Sequence, residues 1–145
     1  MFPNQYDVLA TELMDELHDM FDDSFVGKLF ERRMKKLEQK YQMAVSGQGF
    51  EKRLETLAQI QDDDGYMVRL EKNSDGTYSF EEANCPISQV AIRYRQVYQC
   101  ELSLFSALLD AHVERTECMA DGGAKCRYLC TERSRTIGAE GVELL

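Results

Sequence analysis

No cysteine occurs before Cys85, although the chain has five cysteines among its 145 residues. No stretch approaches the run of about 20 apolar residues that a membrane-spanning helix needs. The opening residues lack the basic start and the apolar stretch of a secretory signal peptide. These absences, with the modest length, predict a single cytosolic domain with no membrane partner. Clustered thiols that stay reduced in such a protein usually bind a metal or sense redox state.

Positive charge is absent from the start of the chain, because no lysine or arginine precedes Lys28. That opening segment carries seven acids, and six basic residues follow it: Lys28, Arg32, Arg33, Lys35, Lys36 and Lys40. The net charge of −9 argues against nucleic-acid binding by this chain alone, since phosphate backbones need clustered Lys and Arg. The basic run fits a solvated helix face; the alternative is a face turned toward DNA that another domain holds.

Three helices are predicted in the first half of the chain from apolar residues at steps of three or four. The first carries the stripe Leu9, Leu13, Leu17 and Met20, which is a candidate surface for a homodimer or for packing within the fold. The second is expected over about residues 25–45. The third, shorter helix runs from about Phe50 to the turn at residues 62–65.

The hydrophobic period then changes to two, which predicts strands. Residues 66–70 and 78–80 alternate about the turn at residues 73–76, as in a hairpin. A helical segment with a break at Arg95 follows Pro86, and a second hairpin is expected about Gly122. The predicted class is α+β, with N-terminal helices followed by an antiparallel sheet of two hairpins and a helical segment between them. The domain spans residues 1–133, and residues 134–145 are expected to form a flexible tail.

The second hairpin places two thiols opposite each other. A turn about Gly122 leaves Cys118 and Cys126 equidistant from it, and opposed Cβ atoms lie about 4.5–5.5 Å apart. Cys130 shares a face with Cys126 but lies about 13 Å further along the strand, at ~3.3 Å per residue. We therefore expect Cys130 in the core.

Two further thiols precede this hairpin. Cys85 lies at a loop-to-helix junction, where a helix N-terminus favours thiolate. Cys100 lies beyond the break at Arg95, which could turn it back toward Cys85. The candidate metal ligands are therefore Cys85, Cys100, Cys118 and Cys126, although each could equally be a buried core thiol. His112 is a weaker candidate ligand, and His18 is expected on an exposed acidic helix face.

Two blocks of the chain are distinctive: Glu82-Ala83-Asn84-Cys85-Pro86-Ile87-Ser88 and the later Cys126-Arg127-Tyr128-Leu129. Further segments are Phe2 to Asp7, Gly65-Tyr66-Met67, Val90-Ala91, Cys100-Glu101-Leu102, Leu104-Phe105 and Val113-Glu114-Arg115-Thr116. Together these segments resemble the C-terminal sensor domain of SufR-type iron–sulfur-dependent winged-helix repressors. The segment from Cys118 to Cys126 is also similar to the end of 4-vinyl reductase-type sensor domains, in which paired cysteines recur.

The SufR resemblance implies a homodimeric cytoplasmic transcription regulator with an oxygen-sensitive iron–sulfur cluster. It implies three cysteine ligands, which match Cys85, Cys100 and Cys126, with Cys118 as a fourth ligand or an incidental thiol. A [4Fe–4S] cluster is expected rather than [2Fe–2S]. DNA is a partner only through an N-terminal winged helix that this sequence does not contain. The chain is either an excised sensor domain or a protein without DNA-binding function.

Three other functions are compatible with the same residues. Four thiolates suit tetrahedral zinc, which makes a zinc-binding interaction domain the first alternative. A thiol redox switch and a small-molecule sensor of the 4-vinyl reductase type are the others. An enzyme is not expected, because the sequence has no Gly-rich phosphate loop, no serine-nucleophile motif and no convincing Cys–His pair.

Overall fold

The computed structural model describes residues 6–85 and 88–133. Its elements, in chain order, are α1 Tyr6–Met20, α2 Asp23–Val45, α3 Phe50–Asp63, β1 Val68–Lys72, β2 Tyr78–Glu82, α4 Ser88–Arg93, α5 Gln96–Leu109, β3 Ala111–Glu117 and β4 Cys126–Glu132. A single 3₁₀ turn, Met119–Asp121, lies between β3 and β4. The expected tail at residues 134–145 lies outside the described residues.

Three helices open the fold, as the apolar periodicity predicts. Asp22 caps α2, because its side chain accepts a hydrogen bond of 2.8 Å from the backbone N–H of Phe25. The apolar stripe of α2 continues to Val45, and the chain reverses at Gly47 before α3 begins. The α2 residues Val26, Phe30 and Val45 are buried in the core.

The two hairpins join into one antiparallel sheet with strand order β1-β2-β4-β3. The joining pair is β2 with β4, in a register that places Phe80 opposite Tyr128 and Glu82 opposite Cys126. The α+β class is therefore confirmed, with the helices segregated from an antiparallel sheet. The two hairpins form one continuous surface for helices to cover.

Helix α5 is central to the core, since it packs against both α2 and the sheet. On the sheet side, the ring of Phe105 lies 5.4 Å from that of Phe80 and 5.1 Å from that of Tyr128. These tilted and edge-on contacts are the favoured arrangements of aromatic rings. The cluster fixes the rotation of α5 about its own axis, and so decides which of its side chains face the sheet and which face α2.

Candidate functional site

Cys126 opens β4 on the face of the sheet that the helices cover, and it is buried. The backbone N–H of Met119 donates a hydrogen bond of 3.5 Å to its Sγ. Burial raises the pKa of this thiol to about 12, and repulsion from Cys118, Glu101 and Cys85 acts in the same direction. Cys126 is therefore a neutral thiol at neutral pH, and a bound cation would be needed to hold it as thiolate.

Cys118 follows β3 and starts the turn that leads back to β4. The last β3–β4 pair is Glu117 with Arg127, so the next register position joins Cys118 to Cys126, as the turn about Gly122 predicts. The turn is longer than a tight hairpin, because the 3₁₀ segment is inserted after Cys118. The backbone N–H of Gly123 donates to the Cys118 carbonyl at 3.0 Å and closes the turn over this residue.

Cys85 reaches the same region from the other hairpin. It lies after the end of β2, beyond Ala83 and Asn84, and is buried. The neighbouring Asn84 anchors this segment, because its side-chain amide donates to the carbonyl of Gly65 at 2.8 Å and its backbone N–H donates to the carbonyl of Tyr66 at 3.1 Å. Thus Cys85 is held beside the end of β2, whose last residue pairs with Cys126 on β4.

Tyr98, on the first turn of α5, lies near all three of these thiols. Its hydroxyl is buried. Burial is the largest cause that raises the pKa of Tyr98, and the nearby Cys85, Cys126 and Cys118 raise it further. The structure therefore places Cys85, Cys118 and Cys126 in the same buried region as the phenol of Tyr98. The sequence analysis did not identify Tyr98, because nothing but its position on the predicted helix distinguishes it.

The structure does not bring Cys100 to the other three thiols. Tyr98 and Cys100 are two residues apart on α5, and successive helical residues turn by about 100°, so their side chains leave opposite sides of the helix. Burial raises the pKa of Cys100, and the charged groups that act on it are Glu31 and Arg33 of α2. Cys100 lines a cavity of about 50 Å³ between α2, α3 and α5.

Cys130 is a core residue, as expected. It is buried on β4, opposite Val113 of β3 and Tyr78 of β2. Burial alone raises its pKa to about 12, with no charged group contributing. Cys130 is therefore the natural control for Cys126, because both thiols lie on the same strand and face but only Cys126 has other thiols nearby.

The two histidines lie at the surface. Nε2 of His18 lies 2.5 Å from Oδ1 of Asp23. The side chain of His112 is 70% exposed and lies 3.7 Å from Glu114. Within residues 6–85 and 88–133, no group of three His, Cys, Asp or Glu side chains is placed closely enough to hold a metal ion. The three thiols are therefore neighbours in one region and not a preformed metal cage.

A buried polar network adjoins the thiols. Glu82, at the end of β2, is 1% exposed and accepts a hydrogen bond of 2.8 Å from Gln61. Burial and the nearby Glu101 raise the pKa of Glu82 to about 9. The pKa of Glu101 is also raised by burial, although its carboxylate accepts a short hydrogen bond from the Tyr128 hydroxyl. At neutral pH the pair holds at least one proton.

The apolar periodicity of the sequence places both Glu82 and Glu101 at positions that face the core. Glu82 continues the inward alternation of Tyr78 and Phe80 along β2. Glu101 falls between Val97 and Leu104 on the apolar stripe of α5. A carboxyl at a core position of a strand or helix is rare, and the two occurrences together predict a buried polar site.

An open groove of about 300 Å³ leads from solvent to Cys118, with Arg115, Glu117 and Gly123 among its lining residues. Beside it, an ion pair of 2.7 Å joins Arg95, just before α5, to Asp121 in the β3–β4 turn. Small reagents can therefore approach Cys118 from solvent, although the side chain itself is largely covered.

Comparisons with known proteins support the fold only. No protein-family model matches the chain, and no curated protein matches it. A similar solved structure is a trafficking protein particle complex subunit 3 from Naegleria fowleri, covalently bound to palmitic acid. The TM-score is 0.51 at 12% sequence identity, and the match covers 89% of this chain and 93% of that chain. At that identity the likeness concerns the arrangement of helices and sheet.

A helix that crosses a bilayer must be both long and predominantly apolar. No helix within the described ranges combines the two properties to the degree that a membrane span requires.

Proposed function

We propose that this chain is a thiol-based sensor domain in which Cys85, Cys118 and Cys126 together hold an iron–sulfur cluster. The observation that carries the proposal is the placement of three buried thiols: Cys85 follows β2, whose last residue pairs with Cys126, and Cys118 lies one register position beyond the pair of Glu117 with Arg127. Cysteine thiolates are the usual attachment of such clusters in proteins. A [4Fe–4S] cluster, with one iron bound by a group from outside the chain, is the favoured form.

The ligand set differs from the one that the SufR resemblance implies. That resemblance assigns Cys85, Cys100 and Cys126, whereas Cys100 faces α2. Cys118 takes its place in the proposed set because its register position is opposite Cys126. The donor set suits a cluster by its chemistry. Binding of the cluster has to bring the three thiols closer together, because in this structure they are too far apart to share a metal ion.

Cluster loading would tie together three segments that are distant in sequence. Cys85 follows β2, Cys118 follows β3 and Cys126 opens β4, so a shared group would hold both hairpins at the end of α5 where Tyr98 lies. A ligand that binds only the folded state stabilises it by mass action. In a regulator of the SufR type, that stabilisation would couple cluster occupancy to DNA binding through a winged helix.

Zinc is the alternative occupant of the same thiols. Three thiolates with a fourth ligand from solvent or another side chain suit tetrahedral zinc. Metal content separates the two proposals: iron with acid-labile sulfide supports the cluster, and zinc without either supports the zinc site.

A thiol redox switch is a second candidate function, favoured by the register of β3 and β4. The position after Glu117 and Arg127 pairs Cys118 with Cys126, and opposed residues can meet the geometry of a cross-strand disulfide. Oxidation by a diazene reagent such as diamide would form the S–S bond and reduce the reagent. The protein mass would fall by about 2 Da, the two hydrogens transferred to the oxidant.

Covalent acyl binding, as in the trafficking subunit bound to palmitic acid, has less support in this chain. Cys100 is the thiol that lines a partly apolar cavity, together with Met34 and Leu104. The cavity is only about 50 Å³. An apolar cavity of about 150 Å³ holds a molecule of the size of benzene, so a long acyl chain needs a far larger space than this one. We therefore do not extend that covalent attachment to Cys100.

The experiment that tests the cluster is anaerobic purification followed by reconstitution with ferrous iron and sulfide. We expect a brown protein with visible absorption and with iron and acid-labile sulfide bound in proportion to the chain. A colourless protein that retains neither after desalting would contradict the proposal. A protein that retains zinc in place of iron would show that these thiols form a zinc site.

A further inference from the structure

The turn between β3 and β4 carries a carboxylate between its two cysteines. Asp121 ends the 3₁₀ turn Met119–Asp121, three residues after Cys118. The backbone N–H of Asp121 donates a hydrogen bond of 3.1 Å to the carbonyl of Cys118. Because side chains three residues apart in a 3₁₀ turn eclipse each other, the carboxylate and the thiol project from the same side of the turn.

Asp121 and Cys118 also line the same open groove of about 300 Å³. The side chain of Asp121 is mostly exposed, whereas Cys118 is buried. The carboxylate therefore lies at the solvent side of the groove and the thiol lies deeper. A cation that enters the groove passes the carboxylate before it reaches the thiol.

An ion pair with Arg95 holds the Asp121 carboxylate in place. The guanidinium of Arg95 donates to its Oδ1 at 2.7 Å, and the two side chains are 55% and 64% exposed. Exposed ion pairs contribute little to stability, so this one is easily exchanged for another partner. Carboxylate oxygens are ordinary ligands of zinc. Asp121 can therefore leave Arg95 for a metal at small cost.

Glu117 lines the same groove but is directed to the other face of the sheet. It pairs with Arg127 on β4, and paired residues share a face. Successive strand residues alternate between faces, so Glu117 lies on the face opposite to that of Cys126. Its carboxylate also accepts a hydrogen bond of 3.2 Å from the backbone N–H of Ala124. Glu117 is therefore a matched control for Asp121, with the same charge beside the same groove.

We propose that Asp121 supplies the fourth ligand of the three-thiol site when no group from outside the chain occupies that position. The inference rests on the proposed site of Cys85, Cys118 and Cys126, and adds an oxygen donor to it. Three thiolates and one carboxylate complete a tetrahedral set for zinc, and in a [4Fe–4S] cluster the carboxylate binds the iron that lacks a thiolate. The turn also reaches the other strand, because the backbone N–H of Met119 donates to Sγ of Cys126 at 3.5 Å.

The first test is titration of the reduced, metal-free chain with zinc alone, in competition with a chromophoric chelator. Asp121→Asn should weaken zinc binding at least about tenfold, because a neutral amide is a poor ligand. Arg95→Met should bind zinc at least as tightly as the unchanged chain, because it frees the carboxylate. Both variants break the same ion pair, so a merely structural role of Asp121 would change the two affinities in the same direction. Glu117→Gln should bind like the unchanged chain.

Cobalt(II) in place of zinc reports the sulfur ligands directly. Asp121→Cys should increase the sulfur-to-cobalt charge-transfer absorption of the unchanged chain, because a fourth thiolate replaces the oxygen donor. Asp121→Asn at saturating cobalt should keep the absorption of three thiolates. Circular dichroism of each metal-free variant checks that the chain is folded.

The outcomes separate this ligand role from the thiol site. If Asp121→Asn binds zinc as tightly as Glu117→Gln, Asp121 is not a ligand and the three thiols stand without it. An equal loss of affinity in Arg95→Met and Asp121→Asn would likewise overturn the role of Asp121. If the unchanged chain binds no zinc, that role is also overturned, and the iron and sulfide content after reconstitution decides the thiol proposal by itself.

Discussion

Arg115 donates a hydrogen bond of 2.5 Å to the backbone carbonyl of Tyr98, which ties β3 to the first turn of α5. Its guanidinium also lies 5.2 Å from the centroids of the Tyr98 and Tyr128 rings. Its charge lowers the pKa values of Glu82 and Glu101, and so partly offsets the effect of burial. One side chain therefore connects the thiol region with the buried carboxyl pair.

Replacement of Arg115 should be destabilising. Arg115→Met leaves the buried carboxyls without their cation and the Tyr98 carbonyl without its donor, and we expect a loss of about 2 kcal/mol, reduced because Arg115 is only half-buried. Arg115→Lys should recover part of this loss, because it keeps the charge but not the planar donor group. Chemical denaturation measures both. Arg69→Met, at an exposed position, is the control and should be near neutral; equal losses at the two positions would contradict the account.

Glu82 should make the fold less stable as pH rises. Its folded pKa of about 9 lies above the usual carboxyl value, so the native state binds more protons than the unfolded chain between those two values. The free energy of unfolding should then fall by on the order of 5 kcal/mol between about pH 5 and pH 9.

Glu82→Gln should flatten this pH dependence, since the amide keeps a neutral group beside Gln61 and cannot ionise. Urea denaturation at several pH values measures the slope. The exposed Glu71→Gln is the control and should retain the slope of the unchanged protein. If Glu82→Gln shows the same slope, a neutral buried Glu82 is ruled out.

Gly123, in the β3–β4 turn, has no room for a side chain. A Cβ there would lie 2.8 Å from the carbonyl oxygen of Cys118 and 2.9 Å from Cγ of Glu117. Gly123→Ala should therefore destabilise the fold by about 1–3 kcal/mol and alter the reactivity of Cys118 toward alkylating reagents.

Gly27→Ala should have the opposite effect on stability. Gly27 lies inside α2 with nothing within 4 Å of its added Cβ, so alanine should stabilise the helix by about 0.5–1 kcal/mol. Thermal unfolding of the two variants gives the comparison. A neutral Gly123→Ala would mean that the turn is free to rearrange around Cys118.

Local periodicity was enough to predict most of the fold. The change from a period of about 3.6 to a period of two located both hairpins, and the turn about Gly122 gave the register at Glu117 and Arg127. The pairing of β2 with β4 could not be predicted, because no local pattern specifies which strands of two separate hairpins become neighbours. That pairing places the Cys85 segment beside Cys126.

The side of α5 from which the Cys100 side chain projects could not be predicted from the sequence, for a related reason. Helix α5 starts after the break at Arg95, and its rotation is set by the packing of Phe105 on Phe80 and Tyr128. Those contacts join α5 to two different strands. Without them, either Tyr98 or Cys100 could have faced the thiols.

Iron and sulfide content of two cysteine variants tests the central claim most directly. After anaerobic reconstitution, Cys118→Ser should lose the iron, the sulfide and the visible absorption of the unchanged protein, because it removes one of three convergent thiolates. Cys100→Ser, whose thiol faces α2, should retain all three, as should Cys130→Ser in the core. Loss of the cluster in Cys100→Ser with retention in Cys118→Ser would contradict the account.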